Sequence, residues 1–400
     1  MRTFLWLCCL GFTILDPRPS NAQPVPALTL SGFLNQVLAQ HPLIRAADQQ
    51  VAAAQALVTQ ARALPSPELS YEYSKLNNFG SVSELVEFPG KRRLRTEIAQ
   101  VGIRQARENL AKTRGTLAFE ARQAFFRRLL ADQQVSVARN TLSTVREVAD
   151  AAQKRFEAGD VAEVEVIKAK VEVARAEQDL RTALGRQRVA SLSVNLLMGK
   201  PPEAPLTLQG DLAAKVVMPA LDDLLRQAYR EQPDIVIARE ESEKQQKSLL
   251  LARRQKFPDI TLGALYGVED SELTPGATIS VALPSLRRSR GLVEEATGHR
   301  LAALAQEEGQ KYQVAEAVAS AYEQWLAASA QVDVYRAGLL NESETVLKAA
   351  RESYQEGQSG ILDVLDAERT DLLVQQQYQQ ALFDLQVAAA NVILARGGVE

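Results

Sequence analysis

Side chains that could catalyse a reaction or hold a metal are scarce in this sequence. The 400 residues include two adjacent cysteines, Cys8 and Cys9, and only two histidines. Zinc clusters and Ser-His-Asp or Cys-His triads need well-placed residues of these types. The composition therefore argues against an enzyme and against a metal centre. The remaining candidate role is electrostatic. Asp363 and Asp366 are three residues apart, so they share one face of a predicted helix and place two negative charges side by side.

The amino terminus has the pattern of a secretory signal. Arg2 supplies a positive charge, residues 4–15 form a short apolar core, and residues 20–22 (Ser-Asn-Ala) resemble a cleavage site. We predict a signal peptide over 1–22, and the bulky residues before Cys8 argue against lipidation. No later stretch has about 18 uninterrupted apolar residues, so an exported protein without a transmembrane helix is expected.

Two long stretches, 90–200 and 285–400, contain almost no residue that would break a helix. Proline is absent from both stretches, and proline is rare inside helices. Apolar residues recur there in steps of three and four, which is typical of helices packed side by side. The predicted seam residues are Val135, Ala138, Leu142, Val145, Ala149, Ala152 and Phe156, then Val164, Ile167, Val171 and Ala174, and in the second stretch Val332, Tyr335, Leu339, Val346 and Ala349.

The two helical stretches belong to an internal repeat. Four landmarks recur in the same order at offsets of 191 to 198 residues, among them Phe156-Glu157-Ala158-Gly159, which returns as Tyr354-Gln355-Glu356-Gly357. Chance is a poor explanation for such a series, so we predict a duplicated unit.

The predicted boundaries follow from this duplication. The first repeat covers 23–200, with a short helix, a β-hairpin at 67–89, a long helix at 91–156 and a return helix at 161–198. A linker covers 201–219. The second repeat covers 220–400, with a short helix, a β-hairpin at 258–284, a long helix at 285–356 and a return helix at 361–396.

Both predicted hairpins alternate apolar and polar residues, as at Leu69, Tyr71 and Tyr73. Each strand has about eight to ten residues, which is near the length that crosses a bilayer when tilted. A soluble hairpin with one face on a core is the alternative. Because about eight strands are the minimum for a barrel, a membrane barrel would require several chains, and three chains would supply twelve strands.

Basic residues follow each hairpin, at the start of each long helix. The helix macrodipole disfavours cations at this position. We therefore interpret them either as a membrane-edge cluster that contacts phosphates of outer-membrane lipid or as solvated charge. The cluster comprises Lys91, Arg92, Arg93, Arg287 and Arg288.

The repeat, the hairpins and the glycine-bounded tips together resemble the TolC-like family of outer-membrane efflux channels. The most specific stretch is Gly-Ile-Leu-Asp-Val-Leu-Asp-Ala-Glu at 360–368, which is similar to the tip segment of that family. Arg-Phe-Glu-Ala-Gly at 155–159 is similar to the matching tip of the first hairpin. Gly-Lys-Arg at 90–92 resembles the heavy-metal (cobalt–zinc–cadmium type) branch.

The resemblance implies a mainly α fold with a small β part. Long helical hairpins would form a trimeric periplasmic α-barrel, and four strands per chain would contribute to a twelve-stranded outer-membrane β-barrel. It also implies the passive exit duct of a tripartite efflux system, with heavy-metal cations as candidate cargo. The expected partners are two further copies of the chain, a periplasmic membrane-fusion adaptor and a proton-driven inner-membrane pump, with no cofactor and no nucleic acid.

The resemblance also assigns roles to individual residues. Asp363 and Asp366 would line the periplasmic mouth, as two rings of three carboxylates in a trimer. Tyr354 occupies a latch position. Glu165 stands where the family has the acidic partner of a closing arginine. Ser359 stands where the best-known members have an arginine, which leaves open how this mouth is held closed.

The adaptor is expected to contact the tips of the two helical hairpins, at Arg155, Gly159, Asp160, Glu356 and Gly357. Two other classes of protein remain as alternatives. A periplasmic coiled-coil adaptor would show one hairpin beside a lipoyl-like module, and a structural coiled-coil protein would not need four alternating strands.

Overall fold

The computed structural model describes residues 27–74, 77–269, 272–283 and 285–399. The predicted signal peptide lies outside these ranges. The elements of the first half are β1 (Leu28–Thr29), α1 (Leu30–Gln40), α2 (Pro42–Arg62), β2 (Glu68–Tyr73), β3 (Asn77–Val86), α3 (Lys91–Glu157), α4 (Glu163–Leu197) and β4 (Leu208–Gln209). Those of the second half are α5 (Leu221–Glu231), α6 (Pro233–Arg254), β5 (Ile260–Glu269), β6 (Glu272–Val281), α7 (Leu286–Val334), a π-helical turn (Tyr335–Leu339), α8 (Leu340–Gln355) and α9 (Ile361–Ala395).

Long helices that pack side by side dominate the fold. The longest, α3, has 67 residues, and at 1.5 Å per residue it is roughly 100 Å long. No helix among the described residues is long and apolar enough to cross a membrane. Each repeat also has one more short helix than the sequence predicted, since α1 precedes α2 and α5 precedes α6.

The two hairpin tips have the same backbone geometry. The helix before each tip ends at a glycine with positive φ, 85° at Gly159 and 77° at Gly357. The amide of Asp160 then donates to the carbonyl of Arg155 at 2.9 Å, and the amide of Gln358 donates to that of Ser353 at 2.8 Å. This is the Schellman arrangement, in which glycine adopts the left-handed conformation that other residues avoid.

The predicted seam is correct on α3 except at its last residue, Phe156, which is 38% exposed, and it is wrong on α4. Val135, Leu142, Val145 and Ala152 are buried as expected. The buried residues of α4 instead include a series of alanines, namely Ala169, Ala176, Ala183 and Ala190. Val164, Ile167 and Val171 are about half exposed, at 53%, 53% and 47%. Small residues let helices approach closely, so α4 turns its alanine face to α3 and leaves its larger apolar face uncovered within the chain.

The second long helix was predicted as one continuous rod over 285–356, and this prediction is wrong. The π-helical turn interrupts it at Tyr335–Leu339, where Gly338 has φ 165° and ψ −28°. A π turn inserts one residue and rotates everything that follows. As a result Val346 is 57% exposed, whereas Leu347 and Tyr354 take the buried positions.

The four longer strands form one antiparallel sheet in the order β2-β3-β5-β6. The central pair, β3 and β5, joins the two repeats, and in its register Val86 lies opposite Ile260. Glycine is required where these strands approach closely, because a Cβ at Gly267 would lie 2.0 Å from the carbonyl oxygen of Asn78. The apolar residues of β2 are exposed, for example Leu69 at 79%.

The segment 201–219, predicted as a linker, is ordered against the body of the protein. Its β4 pairs in parallel with β1 at the start of the described chain. Leu212 is 5% exposed within the central core. The side-chain Nε2 of Gln386 on α9 donates to the backbone carbonyls of Leu212 and Ala214, both at 2.9 Å. The segment therefore encloses the middle of the helical layer rather than connecting two independent units.

Candidate functional site

The two hairpin tips come together at the end of the helical layer remote from the sheet. A small apolar cluster there unites α3, α4, α8 and α9. Its buried members are Val148, Ala152, Val166, Ala169, Tyr354, Ile361, Val364 and Leu365. The sequence spacing predicted tips in both repeats, and the fold brings them into contact.

Tyr354, the predicted latch residue, is the largest buried side chain of this cluster, with 2% of its surface exposed. Its backbone carbonyl accepts a hydrogen bond from Nη1 of Arg155 at 3.0 Å. The guanidinium carbon of Arg155 lies 4.8 Å from the centre of the Tyr354 ring, which is a cation–π distance.

Glu165 and Ser359 also lie at this site. Burial raises the pKa of Tyr354, and the negative charge of Glu165 raises it further, while Arg155 acts in the opposite direction. Three buried polar atoms have no hydrogen-bond partner within the described chain: the hydroxyl oxygens of Tyr354 and Ser359 and Oε2 of Glu165. The expected latch residues therefore meet, but their polar side-chain atoms do not bond to one another.

Asp363 and Asp366 are exposed near the start of α9. They share one face, as the spacing predicted, and line an open groove of about 590 Å³ between α4 and α9. Oδ2 of Asp363 also accepts the amide of Gly360 at 3.3 Å, which caps the helix. The groove contains basic residues as well, among them Lys168 and Arg369, so within one chain these carboxylates face mixed charge.

Four of the five residues expected to contact an adaptor are exposed at the tips: Gly159, Asp160, Glu356 and Gly357. Arg155 differs from them, because its guanidinium is engaged with Tyr354. Its main contact in the structure is therefore with the other tip of the same chain.

The membrane-edge basic cluster needs a correction at Lys91. Its side chain is 9% exposed, and Nζ lies 2.8 Å from Oδ1 of Asp259. Nζ also donates to the carbonyl of Phe257 at 2.9 Å. Burial and this ion pair remove Lys91 from the surface, whereas the side chains of Arg92, Arg93, Arg287 and Arg288 are exposed.

A buried acidic pair on α9 escaped the sequence reasoning. Glu368 and Asp371 are 8% and 6% exposed. Arg351 lies 3.1 Å from Glu368, and Ser343 lies 2.8 Å from Asp371. Burial raises the pKa of Glu368, Arg351 opposes the rise, and Asp371 adds to it. Their spacing of three residues repeats that of the exposed pair, but their partners Arg351 and Ser343 lie on α8, which follows the π turn.

No group of three or more His, Cys, Asp or Glu side chains that could hold a metal ion occurs in the described ranges. The described residues form a long helical layer with a four-stranded sheet at one end and the two joined tips at the other.

A protein-family model described as "Outer membrane efflux protein" matches residues 33–200 and again residues 224–398. The chain belongs to the outer membrane efflux protein family. The resemblance drawn from the tip motifs is confirmed, and the two matched ranges follow the two halves of the repeat. As a member of this family, the protein is an outer-membrane efflux channel with a large periplasmic part, so an adaptor or a structural coiled-coil protein is not the better description.

Among curated proteins, the channel is 28% identical over 379 residues to the cobalt-zinc-cadmium resistance protein CzcC of Cupriavidus metallidurans, covering 91% of this chain and 89% of that one. It is 27% identical over 223 residues to the nickel-cobalt-cadmium resistance protein NccC of Alcaligenes xylosoxydans xylosoxydans, covering 49% and 51%. These relatives are named for resistance rather than for catalysis.

Among solved structures, CusC superposes with a TM-score of 0.79 at 20% identity and covers 92% of both chains. The outer membrane protein VceC of Vibrio cholerae superposes with a TM-score of 0.76 at 20% identity, covering 93% of this chain and 97% of that one. These likenesses confirm the mainly α fold with its small β part.

Proposed function

We propose that this outer-membrane channel is a homotrimer and the exit duct of a tripartite heavy-metal efflux system. A proton-driven inner-membrane pump would deliver the cargo, and a periplasmic membrane-fusion adaptor would join the pump to the hairpin tips. The observation that carries the assembly is the open sheet, whose two outer strands have no further partner in the described part of the chain.

The sheet has two free edges. Within the described residues, β2 pairs with β3 and β6 pairs with β5. An exposed edge is a row of unpaired amides and carbonyls that favours pairing with another strand. Four strands are too few to close a barrel. Joining β6 of one protomer to β2 of the next in three copies would close a ring of twelve strands and leave no edge.

The uncovered face of α4 supports the same assembly. Ile167 and Val171 are exposed by 53% and 47%, and Leu362 of α9 by 58%. Apolar seams of this kind are covered when helices pack side by side. We infer that a neighbouring protomer covers this face and extends the helical layer into a closed periplasmic barrel.

The oligomer is tested on the full chain, extracted from outer membranes in mild detergent and measured by native mass spectrometry. We expect three copies of the mature chain. Ile167→Glu should weaken the trimer, because it introduces a charge on the uncovered apolar face. Gln209→Glu adds the same charge at an exposed polar position of β4, away from that face, and is the control. A monomeric wild-type chain would contradict the proposal.

The proposed cargo rests on the names of the two curated relatives. A strain that lacks this channel should accumulate cobalt, zinc or cadmium, measured by elemental mass spectrometry, and the wild-type gene should reverse the accumulation. Drug sensitivity measured in the same strains is the comparison. If the wild-type gene reverses drug sensitivity but not metal accumulation, metal is rejected as the cargo, and the assignment as an efflux channel stands.

The adaptor contact rests on the exposure of the tips. A photocrosslinking residue at Asp160 or Glu356 should capture a membrane-fusion protein, identified by mass spectrometry. The same residue at Glu203, exposed in the segment 201–219, is the matched control. Equal capture from all three positions would argue against docking at the tips.

A further inference from the structure

The two tips share a backbone but differ in packing. The repeat aligns Arg155-Phe156 of the first tip with Ser353-Tyr354 of the second. The aligned aromatic rings have opposite environments, since Phe156 is 38% exposed and Tyr354 is 2% exposed. The ring of Tyr354 in the second tip is therefore packed against the first tip, whereas the equivalent ring of Phe156 is not packed in this way.

Arg155 accounts for this difference. It reaches across from the first tip, donates to the Tyr354 carbonyl at 3.0 Å and covers the Tyr354 ring at 4.8 Å. The reverse contact is impossible, because Ser353 occupies the position equivalent to Arg155 and is too short and uncharged to cover Phe156.

The guanidinium of Arg155 packs near Gly357. A Cβ built at Gly357 would meet Nη2 of Arg155 at 3.7 Å, so the guanidinium lies against the turn of the second tip. No carboxylate of the described residues lies within 4 Å of an Arg155 nitrogen atom. Arg155 therefore contacts the other tip and forms no ion pair with these carboxylates.

The contact supplies a positive charge that the second tip lacks. Ser359 carries no charge, and its hydroxyl has no hydrogen-bond partner within the described chain. The Tyr354 hydroxyl likewise has none. The tips are thus joined through the ring and the backbone carbonyl of Tyr354. Arg155 also lies near enough to the Tyr354 hydroxyl to lower its pKa, although the geometry of a hydrogen bond to that hydroxyl is not met.

We propose that Arg155 is the positioning residue that ties the second tip to the first and keeps the periplasmic mouth closed, so that opening requires Arg155 to leave Tyr354. This inference rests on the proposed function of the tips as the mouth of a duct. The positive charge that holds the second tip closed then comes from Arg155 of the first hairpin.

The test compares Arg155→Ala with Lys154→Ala, which removes the same charge from an exposed neighbour. Purified channels in planar bilayers should show about a tenfold larger open population for Arg155→Ala, from loss of a charge-assisted hydrogen bond and a cation–π contact. Tyr354→Leu, which removes the ring, should open the channel more than Tyr354→Phe, which removes only the hydroxyl. Arg155→Gln, which keeps an amide donor, should lie between wild type and Arg155→Ala.

A second readout follows the tips directly. The sequence has only Cys8 and Cys9, both within the predicted signal peptide, so spin labels at Asp160→Cys and Glu356→Cys report the separation of the two tips. Arg155→Ala should broaden that distance distribution, and Lys154→Ala should leave it narrow. If Arg155→Ala fails to assemble, Arg155→Gln is measured in its place.

The outcomes separate the two proposals. Equal open populations and equal tip distances for Arg155→Ala and Lys154→Ala would overturn the tie. A larger effect of Tyr354→Phe than of Tyr354→Leu would also overturn it, because the hydroxyl would then hold the mouth. A wild-type protein without a pore would refute the proposed function, and the spin-label distances would still decide the tie.

Discussion

Replacing Asp259 with alanine should loosen the base of the β-sheet. Lys91 at the start of α3 lies 2.8 Å from Oδ1 of Asp259, just before β5. The same oxygen accepts the amide of Phe88 at 2.6 Å. The rings of Phe88 and Phe257 stack beside this pair, with centroids 4.5 Å apart. The ion pair therefore joins the two repeats where helix gives way to strand.

The expected cost follows from these contacts. Asp259→Ala leaves Lys91 buried without its carboxylate, and breaking a buried pair in this way typically costs about 3–5 kcal/mol. The amide of Phe88 also loses its acceptor, at about 1–3 kcal/mol. Asp259 itself is 26% exposed, so water can solvate the site, and we take about 3 kcal/mol as the net cost.

Hydrogen exchange measured by mass spectrometry on the assembled channel reports this cost locally. A loss of about 3 kcal/mol in local opening free energy corresponds to roughly a 150-fold faster exchange of the β3 and β5 amides. Amides near the hairpin tips should not change. Glu294→Ala, which removes an exposed ion pair with Arg290, should change exchange by about twofold at most.

The double variant Lys91→Met with Asp259→Leu decides whether the reasoning holds. Removing both charges leaves no unpaired ammonium, so it should recover much of the lost protection. If the double variant exchanges as fast as Asp259→Ala, the cost does not come from a buried unpaired charge.

The same site predicts a dependence on pH. Partial burial alone would raise the pKa of Asp259, but the bonds from Lys91 and from the amide of Phe88 outweigh it and lower the pKa below its ordinary value of 3.8. A carboxyl whose pKa falls on folding stabilises the fold above its unfolded pKa and loses this effect as the pH falls through the folded value. The difference in exchange between wild type and Asp259→Ala should therefore narrow below about pH 3.8. A constant difference down to about pH 2.5 would contradict the assignment.

Three further predictions concern the mouth, the sheet and the segment 201–219. Asp363→Asn with Asp366→Asn should lower the cation preference in planar-bilayer conductance, because two carboxylates per chain no longer attract cations to the mouth. Gly267→Val should prevent β3 and β5 from pairing and deplete the protein from outer-membrane fractions, whereas Gly80→Val, whose Cβ would lie 3.9 Å from its nearest neighbour, should be tolerated. Gln386→Leu should destabilise the protein by about 2–4 kcal/mol in thermal unfolding, because two carbonyls of that segment lose their donor.

Each of these predictions has a contradicting result. Unchanged ion selectivity would remove the two aspartates from the constriction. Equal membrane abundance of the two glycine variants would mean that close strand approach is not what requires Gly267. A melting temperature equal to that of wild type would mean that Gln386 does not hold the segment 201–219 in place.

Much of the fold could be predicted because its signals are local. Helix α3 and the strand alternation are written in contiguous residues, and the two tips could be located because Gly159 and Gly357 end their helices with positive φ. The seam on α4 was missed for a physical reason. Periodicity identifies apolar faces, but it does not decide whether a face of alanines or a face of larger residues packs within the chain.

The candidate site was only partly predictable. Asp363 and Asp366 share a face because their spacing in a helix requires it. The spacing could not reveal that Lys91 is buried against Asp259, since 168 residues separate them, nor that Arg155 bonds to Tyr354 across 199 residues. Lys91, which was expected at the surface, instead pairs with Asp259. Arg155, which was expected at an interface with an adaptor, instead contacts Tyr354 of the same chain.

The sequence by itself determined the helical stretches, the duplication, the strands and the turn at each tip, because each depends on the conformation of a few neighbouring residues. The tertiary structure alone decided which faces are buried, where the π turn shifts the helix register, and which of two equivalent tips is held. These outcomes depend on close packing between segments far apart in the chain, where one inserted residue or one arginine in place of serine changes what a side chain can reach.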